Sequence, residues 1–245
     1  MIKIRKNRER GKGTTDWLNS FHTFSFSEYH DPQFMGFGAL RVINEDTVLP
    51  NNGFGRHPHN NMEIISYVVE GELAHKDSIG NGSVIKPGEI QVMSAGSGVE
   101  HSEFNYSKTN ELHFLQIWII PDTQNLKPSY QQKEINKISN HLILIASKAG
   151  DDNSIIVHQD MYLYAAYVEK NHSIEHHFHE SRMGWIQLIK GEMTLNGNAL
   201  SQGDGAAIKN EKTILLECQK DAEFLLFDLK EAYDLKNKAV SPGFT

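Results

Sequence analysis

Residues 57 to 71 read His57-Pro58-His59-Asn60-Asn61-Met62-Glu63-Ile64-Ile65-Ser66-Tyr67-Val68-Val69-Glu70-Gly71. Two histidines one residue apart precede a run of β-branched and aromatic residues that ends on glycine. Such a run predicts a strand, because these side chains fit a pleated surface and the glycine allows a turn. Alternate side chains of a strand share a face, so His57 and His59 can project together. Pro58 lacks a backbone donor, which places the pair at a strand start or edge. Further along, His101-Ser102-Glu103 has the same alternation, with a carboxylate at its second position. If the two segments lie on neighbouring strands, four donors converge. Three neutral imidazoles and one carboxylate suit a first-row divalent metal. Octahedral iron held this way would keep two positions open for water, substrate or oxygen.

Working outward, short apolar runs bounded by Gly, Asn, Asp or Pro recur at 63–69, 82–85, 89–93, 113–120, 142–146, 185–189, 206–208 and 223–229. Few segments look helical. The pattern predicts an all-β sandwich or barrel. A repeat divides it. Val69-Glu70-Gly71-Glu72 returns 120 residues later as Ile189-Lys190-Gly191-Glu192, and His57-Pro58-His59 returns at the same offset as His177-Phe178-His179. Lys86-Pro87-Gly88-Glu89 returns loosely, 115 residues later, as Ser201-Gln202-Gly203-Asp204. The polar stretch from Pro121 to His141 is the expected border, giving a metal-binding domain at 1–130 and a degenerate copy at 131–245. The copy is incomplete: Leu216 falls where a partner for His101 would stand, and no histidine follows His179. His177 and His179, with His172 and His176 close by, are then surface histidines or an accessory site.

Charge and composition narrow the function. The 245 residues carry 24 Lys and Arg against 31 Asp and Glu, a formal net charge of −7. That balance argues against direct nucleic-acid contact through phosphates. The basic start (Lys3, Arg5, Lys6, Arg8, Arg10, Lys12) is expected to be a solvated edge or a frayed end. One cysteine, Cys218, excludes an intramolecular disulfide and a cysteine metal cluster, and its apolar neighbours predict core packing. No apolar run is long enough to cross a bilayer, and Met1-Ile2-Lys3-Ile4-Arg5-Lys6 lacks the apolar stretch of a secretory signal, so the expected location is cytoplasmic. Glu63 competes with Glu103 for the carboxylate role, either as a ligand or by orienting a histidine. Glu103 ranks first through its pairing with His101. His75 and His113 are further candidates, His113 being expected to pack beside an apolar strand.

These residues resemble the two motifs of the cupins: His57-Pro58-His59, Glu63 and Gly71 for the first, Gly98, His101 and Asn105 for the second. Asn51 and Gly96 depart from the glycine and proline expected there. Within cupins the chain resembles pirin and its bacterial relatives. The carriers are Phe21-His22-Thr23-Phe24-Ser25-Phe26, Phe37 to Val42, Ser66-Tyr67, Ala74-His75, Pro87-Gly88, Met93 to Gly96 and His101-Ser102-Glu103. Gly191 to Thr194, Gly203 to Ala206 and Phe224 to Leu229 extend it into the second half.

The resemblance implies two tandem cupin (double-stranded β-helix, or jelly-roll) barrels. It implies one metal on His57, His59, His101 and Glu103. Iron(II) is the first expectation, although zinc, manganese, nickel, cobalt and copper accept the same donors. It also implies quercetin 2,3-dioxygenase-type ring opening of a flavonol with molecular oxygen, Glu103 serving as the base. His22, Phe24 and Phe26 share one strand face in this reading and line the substrate cavity or simply pack inward. The alternatives are a metal-binding regulator acting through a protein partner, and a cupin isomerase or hydrolase needing no oxygen. Neither nucleic acid nor membrane is an expected partner.

Overall fold

The computed structural model describes residues 1–231. Apart from two short 3₁₀ turns at Asn7–Glu9 and Asp151–Asn153, its regular elements are strands. The predicted strands form within a residue or two at most ends, for example Glu63–Glu70, Gly82–Ile85, Glu89–Ser94 and Ala222–Lys230. Among the described residues, no helix is long and apolar enough to cross a membrane.

The chain forms two compact units. The first comprises Gly11–Ile135 and Val157–Gln159. It pairs a seven-stranded sheet, in the order 129–134, 89–94, 63–70, 112–119, 40–48, 18–22, 11–14, with a four-stranded sheet, 53–59, 99–105, 73–77, 82–85. Val48, Val68 and Phe114 from the larger sheet pack with Leu73 and Ile85 from the smaller one, so the core lies between the two. The second unit comprises Met1–Arg10, Asn136–Ile156 and the described residues from Asp160 to Glu231. Its sheets run 2–5, 205–208, 182–190, 222–230, 161–168, 142–147, 155–156 and 173–177, 213–218, 192–195, 198–201. Both units are cupin barrels, the all-β jelly-roll arrangement expected from the repeat.

The two turns that defined the repeat have the same physical cause. Gly71 and Gly191 lie at φ +81° and +93°, and a Cβ at either would come within 2.5 and 2.2 Å of the carbonyl oxygens of Glu111 and Asp221. Only glycine accepts both the left-handed backbone and that approach.

Two elements differ from expectation. The polar border contains a strand, Ser129–Glu134, paired with Glu89–Ser94. Its side chains are only partly covered, as an edge strand permits, so it carries no apolar signal. The basic N-terminus is neither frayed nor a mere solvated edge. Ile2–Arg5 pairs with Gly205–Ile208 in the second unit, and Arg5 is buried. Lys6 Nζ lies 2.9 Å from the buried Asp204 carboxylate, which also accepts the backbone N–H of Asn7 and Ser201. Cys218 is buried in the second core, as expected, and burial pushes its thiol up to about 11.

Replacing Gly191 with Ala is expected to lower unfolding free energy by more than about 1 kcal/mol, through the forced φ and the clash. Gly82→Ala, which meets only the His75 carbonyl at 3.8 Å, is expected to change it by less than about 0.5 kcal/mol. Denaturant melts of the two variants check both.

Candidate metal centre

The strand Val99–Asn105 runs between Gly53–His59 and Leu73–Asp77. Its burial alternates strictly, with Val99, His101, Glu103 and Asn105 inward and Glu100 and Phe104 outward. His101 pairs across with His57, and Val99 with His59. The register slips between His101 and Glu103, where Glu103 pairs with Phe54. Such a bulge re-aims side chains next to it. The three imidazoles end with ring centroids 4.4 to 4.9 Å apart. One ring nitrogen from each of His57, His59 and His101 lies within 4.8 Å of the others. A second group at the same spacing shares His101 and adds His75 and Glu103.

The electrostatics leave these imidazoles neutral, as metal ligation requires. Burial lowers His57; burial and the neighbouring His57 bring His59 to about 3 and, with His59 and His75 added, His101 to about 2. His57 Nδ1 lies 2.7 Å from the Gly55 carbonyl. A carbonyl only accepts, so Nδ1 carries the proton and Nε2 presents a lone pair. Neither ring nitrogen of His101 has a hydrogen-bond partner among the described residues, although the side chain is fully buried. A buried polar group in that state needs an explanation, and a bound ion is one. The donor set therefore fits a divalent metal.

Glu103 is held rather than free. Its Oε1 accepts from Ser66 Oγ at 3.1 Å and its Oε2 from Gln116 Nε2 at 2.5 Å. Burial foremost, with the nearby Asp46 charge, pushes its carboxyl up to about 7 against those two hydrogen bonds. His75 has both nitrogens engaged, Nε2 with Asp77 at 3.2 Å and Nδ1 with Gln91 at 3.4 Å. It supports His101 from behind, at 5.4 Å between ring centroids.

A cavity of about 310 Å³ opens on the centre, reaching from His57, His59 and Glu103 past Trp118, Phe26, Leu18 and Phe54 to Asn44 and Asp46. His22 and Phe26 line it, but Phe24 does not; it lies past the strand end at His22 and is buried.

The remaining candidates fall outside this centre. Glu63 accepts from Ser94 Oγ at 2.6 Å and from both the backbone N–H and Nδ1 of His158. Glu63 thus touches no histidine of the centre. His113, on the apolar strand Leu112–Ile119, pairs with Glu45 at 3.0 Å. In the second unit the sequence repeat points to the wrong face. His177 and His179 are exposed, while His176 and Phe178 turn inward. His176 is tied to buried Asp228 at 3.0 Å, and the facing strand offers Ile214, Leu216 and Cys218. His177 meets Thr213 and Glu175 at the surface, and His172 is also exposed.

A family model described as Pirin matches residues 3–119, and one described as Quercetinase C-terminal cupin domain matches 144–229. A quercetin 2,3-dioxygenase of Escherichia coli (strain K12) is 46% identical over 229 residues, covering 94% of this chain and 99% of the relative. The chain belongs to the pirin family. A Pirin-like protein of Caulobacter vibrioides is 38% identical over 93% of this chain and 99% of its own length. Among solved structures, YhhW from Escherichia coli superposes with a TM-score of 0.92 at 46% identity, covering 96% of this pirin and 100% of that chain. The same bacterial pirin in complex with nickel(II) superposes at 0.91 and 46% identity, covering 94% and 99%.

Sequence reading missed the residues that serve the centre in this pirin. Ser66, Gln91, Gln116 and Asn44 are polar residues inside largely buried strands. They are consecutive cross-strand partners: His22 with Asn44, Asn44 with Gln116, Gln116 with Ser66, Ser66 with Gln91. Polar residues inside several buried strands were the available signal. It becomes a row only once the register is known.

Gln116→Ala removes the shorter of the two bonds that hold Glu103. It is expected to weaken metal affinity by roughly 10- to 100-fold, the usual effect of losing a group that orients a ligand. Competition with a chelator of known affinity measures it. The exposed His177→Ala is expected to leave affinity unchanged.

Proposed function

We infer that this pirin is a metal-dependent oxidoreductase of the quercetin 2,3-dioxygenase type, opening the ring of a flavonol or related enolic aromatic with molecular oxygen. One observation carries the reading. His57, His59 and His101 bring three neutral imidazole nitrogens together, the buried Glu103 carboxyl clusters with His101, and His57, His59 and Glu103 line an apolar cavity, in a chain 46% identical to a relative named for that activity. In this reading the N-terminal half, 1–130, holds the metal on His57, His59, His101 and Glu103. The C-terminal half, 131–245, is a degenerate copy. Iron(II) remains the first choice of metal. The nickel(II) complex of the related bacterial pirin supports a divalent first-row ion without favouring iron.

When bound, the ion supplies Lewis acidity toward an enolic oxygen and redox capacity toward oxygen. The chain supplies the rest. Trp118 stands edge-on to His59, with ring centroids 5.0 Å apart, and Phe26 lies edge-on to Trp118 at 5.4 Å. These rings wall a flat substrate and keep water from it. Ser66 and Gln116 fix the Glu103 carboxyl. Burial makes that carboxyl more basic than an ordinary glutamate, so it is suited to accept the substrate's hydroxyl proton. The neutral imidazoles beside it do not compete for that proton.

Iron-loaded protein supplied aerobically with flavonols is expected to consume oxygen as the flavonol absorbance disappears. No uptake across a broad panel, with bound metal confirmed, would contradict the reading. Glu103→Gln is expected to lower kcat by roughly 10²-fold or more in the same oxygen-electrode assay, compared at equal metal content.

A further inference from the structure

The far end of the cavity holds a carboxyl that the reaction above does not use. Asp46 lines the same cavity as His57, His59 and Glu103, and it is buried. Its Oδ1 has no hydrogen-bond partner among the described residues. Ser20, its direct cross-strand partner, donates to the carboxyl. An unpartnered buried carboxyl oxygen is costly in a folded protein. A residue with only a structural role could be replaced there by an apolar one at no loss.

Its place along the sheet is set by register. Asp46 and Asn44 lie two residues apart on one strand and share a face. Asn44 pairs across with Gln116, the residue that holds Glu103. Two residues along a strand cover about 7 Å. Asp46 therefore sits about one strand step from the residue that holds Glu103, on the wall of a cavity that Leu18, Phe26, Phe54 and Trp118 also line. A fused-ring aromatic with its enolic oxygen at the histidines carries its remote substituents to that end.

We propose that Asp46 is a specificity-determining residue that hydrogen-bonds a hydroxyl of the substrate remote from the reacting enol, so that the pocket selects polyhydroxylated over unsubstituted flavonols. This rests on the flavonol reading given above. The carboxyl can serve in either protonation state. Burial foremost, and the adjacent Glu45, push it up to about 7 against the Ser20 hydrogen bond, so near neutral pH it both accepts and donates. The wall residues supply apolar contact to any flavonol alike. Discrimination between flavonols then falls to the polar group at the end.

The test compares quercetin with 3-hydroxyflavone, which keeps the enolic hydroxyl and lacks the others. Dissociation constants are read from quenching of tryptophan fluorescence in metal-loaded protein, and chelator competition checks that metal affinity is unchanged. Asp46→Ala is expected to weaken quercetin about tenfold, the scale of one hydrogen bond to a carboxyl, and to leave 3-hydroxyflavone within about twofold. Asp46→Asn, which keeps hydrogen-bonding capacity, is expected to restore quercetin to within about threefold of wild type. If the alanine variant does not fold, Asp46→Leu fills the volume without hydrogen bonding and carries the same expectation. Equal losses for both ligands, or no loss for quercetin, would overturn the proposal while leaving the dioxygenase reading intact. Wild-type protein that binds neither flavonol would overturn both.

Discussion

A buried imidazole with two unpartnered nitrogens is unfavourable unless something outside the protein satisfies it. His101 is that group, and much of the first barrel is arranged around it. Its strand is flanked on one side by His57 and His59 and on the other by His75. The bulge beside it sets where Glu103 points. Ser66 and Gln116, from the opposing sheet, hold Glu103 in turn. The two sheets are thus joined by apolar packing and also by a polar bridge that runs from Ser66 and Gln116 through Glu103 toward the histidines.

The second barrel shows what the same topology does without that requirement. Its strands follow the same order, and its Gly191 turn repeats the backbone of the Gly71 turn. Where the first barrel turns His101 and Glu103 inward, the second turns Ile214, Leu216 and Cys218 inward. There Arg182 pairs with Asp160 and with the buried Asp228. Topology is common to both barrels, and they differ in which side chains a few inward positions carry.

Much of this was legible in the sequence, for identifiable reasons. The strand runs are rich in β-branched residues and end on glycines, so both the all-β class and the duplication could be read. His57, His59, His101 and Glu103 could be read as candidates because alternation on a strand places i and i+2 on one face. Register was not legible, and what the sequence left open or missed follows from that. His177 and His179 match the first pair in sequence, but a shift of one residue turns them outward and His176 inward. Phe24 lies beyond the end of its strand and is buried, while His22 and Phe26 line the cavity. Ser66, Gln116 and Asp46 look like ordinary polar interruptions until pairing aligns them. The strand Ile2–Arg5 could not be foreseen, because its partner lies some two hundred residues away and its charges resemble a solvated end.

The central claim is that His57, His59, His101 and Glu103 form one metal centre and that the second barrel has none. The most direct measurement is elemental analysis of protein purified without added metal, wild type beside His101→Ala and His176→Ala. The account predicts about one first-row metal per chain in wild type and in His176→Ala, and close to none in His101→Ala. Unchanged metal in His101→Ala, or loss confined to His176→Ala, would contradict it.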